Sequence, residues 1–129
     1  MRKKYMQDSK KTVIIGASPN RYRYAFMAAE SLTSHGHEIV PVGIKKGELE
    51  GRPILNIREH PPISDVDTVT MYIGPKHQSE WYDYILSLKP KRIIFNPGTE
   101  NYEFEEKAKG EGIEIVEGCT LVMLGTSHY

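Results

Sequence analysis

Thr12-Val13-Ile14-Ile15 runs directly into Gly16-Ala17-Ser18-Pro19-Asn20-Arg21, and this junction decides the fold. A short, continuously apolar, β-rich run closed by glycine reads as a strand buried on both faces, as parallel strands covered by helices are. Behind it, over residues 22–35, Ala25, Ala28, Ala29 and Leu32 recur at helical spacing, and Gly36 supplies the stop. The unit repeats along the chain. Glu38-Ile39-Val40-Pro41-Val42 predicts a second strand, with Pro41 pointing to an edge or a strand end. Thr68-Val69-Thr70-Met71-Tyr72-Ile73 predicts a third, Arg92-Ile93-Ile94-Phe95 a fourth and Ile113-Glu114-Ile115-Val116 a fifth.

Between the third and fourth strands, Pro75 opens a helix in which Trp81, Tyr84, Ile85 and Leu88 share one face and which Pro90 stops. Before the fifth, Thr99 is the expected N-cap of a helix with Glu100, Glu103 and Glu105 near its start and Gly112 beyond its end. Residues 45–62 are turn-rich, with Leu49, Ile54, Leu55 and Ile57 as inward contacts and irregular structure or a short helix expected. Strands alternating with helices through short links imply parallel pairing by right-handed crossovers, a three-layer α/β fold with about five parallel strands.

The chain has 129 residues, 17 Lys plus Arg against 17 Asp plus Glu, and one Cys. That length fits one domain, expected over residues 12–129, preceded by a basic tail over residues 1–11 that holds Arg2, Lys3, Lys4, Lys10 and Lys11. The balanced charge supplies no chain-wide field for a nucleic acid backbone, and Tyr22, Tyr24, Tyr82, Tyr84 and Tyr102 are scattered among acids. No apolar run approaches the roughly 20 residues of a membrane-spanning helix. A single Cys and a polar N-terminus lead to the expectation of a soluble, cytoplasmic protein with neither nucleic acid nor membrane as partner.

In a sheet of this kind ligands bind outside the carboxyl ends of the strands, where the chain order reverses. Every expected strand ends there in small or turn-forming residues: Gly16-Ala17-Ser18-Pro19, Val42-Gly43, Gly74-Pro75, Asn96-Pro97-Gly98 and Gly118-Cys119. Turn chemistry accounts for each singly; their shared edge favours a ligand site. The loop Gly16-Ala17-Ser18-Pro19-Asn20-Arg21 offers main-chain N–H groups, a hydroxyl and a cation to a phosphate or pyrophosphate. It matches neither Gly-x-Gly-x-x-Gly nor Gly-x-x-x-x-Gly-Lys. An NAD site would place an acid after the second strand to accept the ribose hydroxyl. Gly43-Ile44-Lys45-Lys46 stands there instead, and two cations favour a phosphorylated ribose, as in coenzyme A or NADP.

Taken in order, Gly16-Ala17-Ser18-Pro19, Val40-Pro41-Val42, Leu49-Glu50-Gly51-Arg52-Pro53, Val66-Asp67, Asn96-Pro97-Gly98 and Gly118-Cys119 resemble the small stand-alone coenzyme A-binding domain proteins of bacteria, over residues 12 to about 124. They are also similar to the nucleotide-binding domain of the succinyl-CoA synthetase α subunit. The resemblance implies a Rossmann-like fold that binds coenzyme A or an acyl-CoA through its ADP moiety. It sets Gly16, Ala17 and Ser18 at the pyrophosphate and Lys45 or Lys46 at the ribose phosphate. Tyr72, Ile73, Gly74 and Pro75 then flank the adenine or ribose, and Asn96, Pro97 and Gly98 the pantetheine side. Gly43 departs from the Asn common in the family, and the first loop carries fewer glycines than the synthetase loop.

The residues favour a binder over an enzyme. The synthetase's phosphorylated His lies in a further domain, and His35, His37, His60, His77 and His128 show no ligand or base spacing. No metal cluster is visible. Cys119, on the expected rim, is the one candidate nucleophile. Three readings stay open: a coenzyme A carrier, sensor or regulator; an enzyme that is NADP-dependent or thiol-linked through Cys119; and an interaction protein with a vestigial pocket. A homodimer is common for so small a sheet, but no surface is singled out.

Overall fold

The computed structural model describes residues 8–129. Residues 1–7 of the basic N-terminal stretch, with Arg2, Lys3 and Lys4, lie outside the described residues. Lys10 and Lys11 are inside, and both are bound: Lys10 Nζ donates to the Tyr129 carbonyl (2.7 Å) and Lys11 Nζ to that of Ser64 (2.7 Å).

The elements follow the order β1 (Thr12–Ile15), α1 (Tyr24–Ser34), β2 (Ile39–Gly43), β3 (Glu48–Leu49), β4 (Arg52–Pro53), β5 (Leu55–Asn56), β6 (Thr68–Met71), α2 (Tyr82–Ser87), β7 (Arg92–Phe95), α3 (Tyr102–Gly110), β8 (Glu114–Glu117) and α4 (Thr120–Gly125). Six strands form one sheet in the order β5-β2-β1-β6-β7-β8, and every neighbouring pair is parallel. β3 and β4 form a separate antiparallel hairpin. The five expected strands are all present, and the fold is Rossmann-like. The sixth, β5, is two residues long beside Val42 and Gly43, too short to leave a periodic signal. At Pro41 the outer side of β2 therefore has no ladder partner, so its missing N–H breaks nothing.

Alternation along the strands builds two cores. Val13, Ile15, Val69, Met71, Ile93 and Phe95 face Tyr84, Ile85, Phe104 and Ala108 of α2 and α3. On the opposite face Ile14 and Ile39 meet Ala25, Ala29 and Leu32 of α1 and Leu124 of α4. Full burial of a side chain such as Phe104 contributes about 2 to 3 kcal/mol. The second face also holds a polar row that periodicity did not reveal: Thr12, Thr68, Thr70, Arg92 and Asn96 are all buried. Arg92 Nε donates to Thr68 (3.0 Å), its guanidinium lies 4.4 Å from the Tyr129 ring centre, and the Tyr129 hydroxyl pairs with Thr12.

Two helix boundaries correct the expectation. The stretch opened by Pro75 is not one helix but two 3-10 turns, Pro75–His77 and Ser79–Trp81, followed by α2. Between the two turns sits Gln78, whose fully buried side chain bonds loop carbonyls. The N-cap of α3 is Asn101, whose Oδ1 accepts the Phe104 N–H (3.1 Å); Thr99 instead bonds back to the Asn96 carbonyl (2.9 Å). Glu105 completes this cap by accepting the Asn101 N–H through Oε2 (3.1 Å), although it is only 6% exposed. Burial, and secondarily the nearby Glu117 carboxylate, hold the Glu105 carboxyl above the usual glutamate range.

Two outcomes are expected from this packing. β2 ends with Gly43 pressed against the first loop, where a Cβ would lie 2.6 Å from the Ala17 carbonyl oxygen. Gly43→Ala is therefore expected to destabilise the protein by about 1 to 3 kcal/mol in urea unfolding, and an unchanged midpoint would contradict the contact. Because the folded pKa of Glu105 is raised, its contribution to stability is present below the ordinary glutamate pKa and lost as pH rises through the raised value. Glu105→Gln removes that loss, so the variant should gain on the wild type as pH rises from the ordinary glutamate range through the raised value. A difference that stays constant with pH would count against the burial of this carboxyl.

Candidate functional site

Parallel pairing sets the carboxyl ends of β2, β1, β6, β7 and β8 side by side along one rim. The chain leaves β1 toward β2 on one side and resumes at β6 on the other, so the order reverses between β1 and β6. The loops singled out in the sequence all lie on this rim.

The β1 and β2 ends are joined tightly. Gly16 N and Ala17 N both donate to the Val42 carbonyl (2.9 and 3.1 Å). Gly16 has φ +94, and a Cβ there would lie 2.8 Å from the Tyr72 carbonyl oxygen, so only glycine lets this loop pass between β2 and β6. The contact of Gly43 with Ala17 recurs one turn further out, where a Cβ on Gly47 would lie 2.7 Å from Pro19 Cβ. The expected donor role of Gly16 and Ala17 is thereby narrowed: their N–H groups anchor the loop to β2, and their small size lets it close. Pro19 has no N–H, Ser18 Oγ accepts the Asn20 N–H (3.1 Å), and Asn20 Oδ1 accepts that of Tyr22 (3.0 Å). The groups turned outward here are Ser18, half-buried, and the exposed cations Arg21, Arg23, Lys45 and Lys46. Ile44 is exposed beside them.

The β6, β7 and β8 ends are held by buried carboxamides. Asn96 is 3% exposed; its Nδ2 donates to Thr70 Oγ1 (2.7 Å) and the Met71 carbonyl (2.9 Å), and its Oδ1 accepts the Thr120 N–H (2.8 Å). Its side chain therefore faces the core and joins β6, β7 and α4; Pro97 and Gly98 are the exposed members of that trio. Tyr72 likewise turns inward. Its phenol lies against the bonded hydroxyls of Thr70 and Thr120 (2.8 Å apart), and burial pushes its pKa up to about 12. Gln78 Nε2 donates to both the Ile73 and Thr99 carbonyls (2.8 Å each), and Gln78 Oε1 accepts from Asn101 Nδ2 (2.9 Å). Gln78, Thr70 and Thr120 were missed in the sequence. Gln78 did leave a signal, a polar residue on the stripe of Trp81, Ile85 and Leu88.

Gly74 and Pro75 are exposed at the end of β6, and Gly98 N donates to Glu100 Oε1 (2.9 Å). Cys119, half-buried, is the N-cap residue of α4. Charge thus changes along the rim, from cations at β2, β1 and, with Lys76, the end of β6 to Glu100 and Glu117 at β7 and β8. Among the described residues no group of three or more His, Cys, Asp or Glu side chains could hold a metal ion. Of the histidines, His37 Nδ1 accepts the Lys10 N–H (2.9 Å), and His60 stacks on Tyr84 with centroids 5.3 Å apart. Two open concavities, of about 390 and 580 Å³, are lined respectively by His60, Tyr84 and Leu88 and by Lys11, Asp67 and Lys91, and neither includes a rim residue.

Comparison with known proteins gives this geometry a family. A crystal structure described as that of an uncharacterized protein is 60% identical, covers 94% of this chain and 98% of its own, and superposes with a TM-score of 0.91. A hypothetical protein from Pyrococcus horikoshii OT3 is 27% identical, with coverage of 92% and 84% and a TM-score of 0.79. A protein from Thermus thermophilus, described as cell-free ID.343, shares the fold at 21% identity, 94% and 91% coverage and a TM-score of 0.79. A search of curated proteins returns no significant match. The family model described as "CoA binding domain" matches residues 10–125, nearly the whole chain, and the protein therefore belongs to that coenzyme A-binding family.

Proposed function

We propose that the protein holds coenzyme A or an acyl-CoA by its ADP moiety across the ends of β1 and β2, and acts as a carrier, sensor or regulator rather than as a catalyst. The observation that carries this reading is the joining of the two loops, with Gly43 against Ala17 and Gly47 against Pro19, within a coenzyme A-binding family. That contact sets the loop carrying Ser18 and Arg21 against the loop carrying Lys45 and Lys46. A pyrophosphate and a ribose phosphate separated by one ribose then meet cations from two neighbouring strand ends.

The role of the chain's own residues is to bind and orient. Ser18 and Arg21 receive the pyrophosphate, and Lys45 and Lys46 receive the ribose 3′-phosphate. Gly16, Ala17 and Gly43 keep the loops low enough for the ligand to reach them.

Calorimetry with coenzyme A, dephospho-coenzyme A and NADPH tests the assignment. Coenzyme A is expected to bind more tightly than its dephospho form by about 1.5 to 3 kcal/mol, the scale of a charge-assisted hydrogen bond. Lys45→Ala/Lys46→Ala should erase most of that difference. Equal affinity for the two forms in the wild type removes the lysines from the site, and tighter binding of NADPH than of coenzyme A replaces the ligand.

A further inference from the structure

Coenzyme A has a fixed covalent order: phosphorylated ribose, pyrophosphate, then the uncharged pantetheine arm that ends in the thiol. The rim has a fixed order too, β2, β1, β6, β7, β8. If the ribose phosphate lies at Lys45 and Lys46 and the pyrophosphate at the β1 loop, as the reading above has it, the arm has one direction left, over the end of β6. Along the rim the exposed cations Arg21, Arg23, Lys45 and Lys46 stand at the β1 and β2 ends, Lys76 follows Pro75 at the end of β6, and Glu100 and Glu117 stand at β7 and β8, so an uncharged arm is the part of the ligand suited to that far side.

The end of β6 holds a glycine that the protein itself does not need. Gly74 is extended, with φ −62 and ψ 153, a conformation open to any residue and the one expected before a proline. A Cβ there would meet nothing within 4 Å. Gly16 and Gly43 are different, since a Cβ on either would strike main chain. A glycine with neither a conformational nor a packing reason adds freedom to the unfolded chain without return. Nor can the loop readily move to fill the space, because Gln78 ties the neighbouring Ile73 carbonyl to that of Thr99.

We propose that Gly74 is a specificity-determining position: its bare main chain is the floor over which the pantetheine arm crosses from β1 toward β7 and β8. The lengths agree. The arm spans twelve bonds from the phosphate oxygen to sulfur, the equivalent of four extended residues or about 14 Å. Three strand spacings from β1 to β8 also come to about 14 Å. The thiol end then reaches the neighbourhood of Gly118 and Cys119. Tyr72 to Pro75, which the family resemblance sets against adenine or ribose, serve the arm on this strand order.

Calorimetry of the wild type, Gly74→Ala and Gly74→Val with coenzyme A and with 3′-phospho-ADP, which lacks the arm, tests this. Both variants should melt at or above the wild-type temperature, because the position is open and extended. Gly74→Val should weaken coenzyme A binding by about tenfold or more while leaving 3′-phospho-ADP within about twofold. Unchanged coenzyme A affinity in Gly74→Val overturns the inference, as does an equal loss for both ligands. Should Gly74→Val fail to fold, the same comparison is read from Gly74→Ala, with a smaller loss confined to coenzyme A expected. A wild type that binds neither ligand overturns the reading of the site and this inference with it.

Discussion

One acceptor, the main-chain carbonyl of Val42, receives the N–H groups of both Gly16 and Ala17, and the rest of the rim is arranged around that joint. The first loop must leave β1 sideways toward β2, pass beneath the Tyr72 carbonyl, and leave no room for a side chain at Gly43. A hydrogen bond shared in this way contributes no more than any other pair of main-chain bonds to stability. Its importance is geometric: it closes the gap between two strand ends, so that residues from both stand together on one part of the rim.

The remainder of the rim uses a different device. Across β6, β7 and β8 the loops are fastened from below by Asn96 and Gln78, two buried carboxamides whose donors and acceptors all have partners. A buried amide left unpaired would cost one to several kcal/mol, so each also specifies a single arrangement of the loops it joins. The rim therefore has a half that exposes Arg21, Lys45 and Lys46 and a half in which Asn96 and Gln78 turn inward, leaving Gly74, Pro75, Pro97 and Gly98 at the surface with Lys76 and Glu100 beside them. That division fits a ligand with charge at one end and a neutral arm at the other.

Much of this was legible in the residues. Strands as apolar as Val13-Ile14-Ile15 or Ile93-Ile94-Phe95 announce burial on both faces, and the glycine or proline behind each announces the rim. What escaped was whatever depends on contacts distant in the chain. Leu55 and Asn56 pair as a strand only because Val42 and Gly43 lie beside them. Asn96, read as a ligand contact, points inward because Thr70 and the Thr120 N–H receive it there. The Gly16 and Ala17 amides, read as phosphate donors, already belong to Val42. Sequence reasoning marks the loop but not which of its atoms are free, since spacing along a chain fixes where a residue stands and not what its polar groups already touch.

The most direct measurement of the central claim is a crystal structure of the protein with coenzyme A. The account predicts the pyrophosphate within hydrogen-bond reach of Ser18 or Arg21 and the ribose phosphate beside Lys45 and Lys46, with the β1 and β2 loops still joined through Val42. A ligand seated in the concavity beside α2, or one whose adenosine lies at β7 and β8 with its thiol at the lysines, would contradict it.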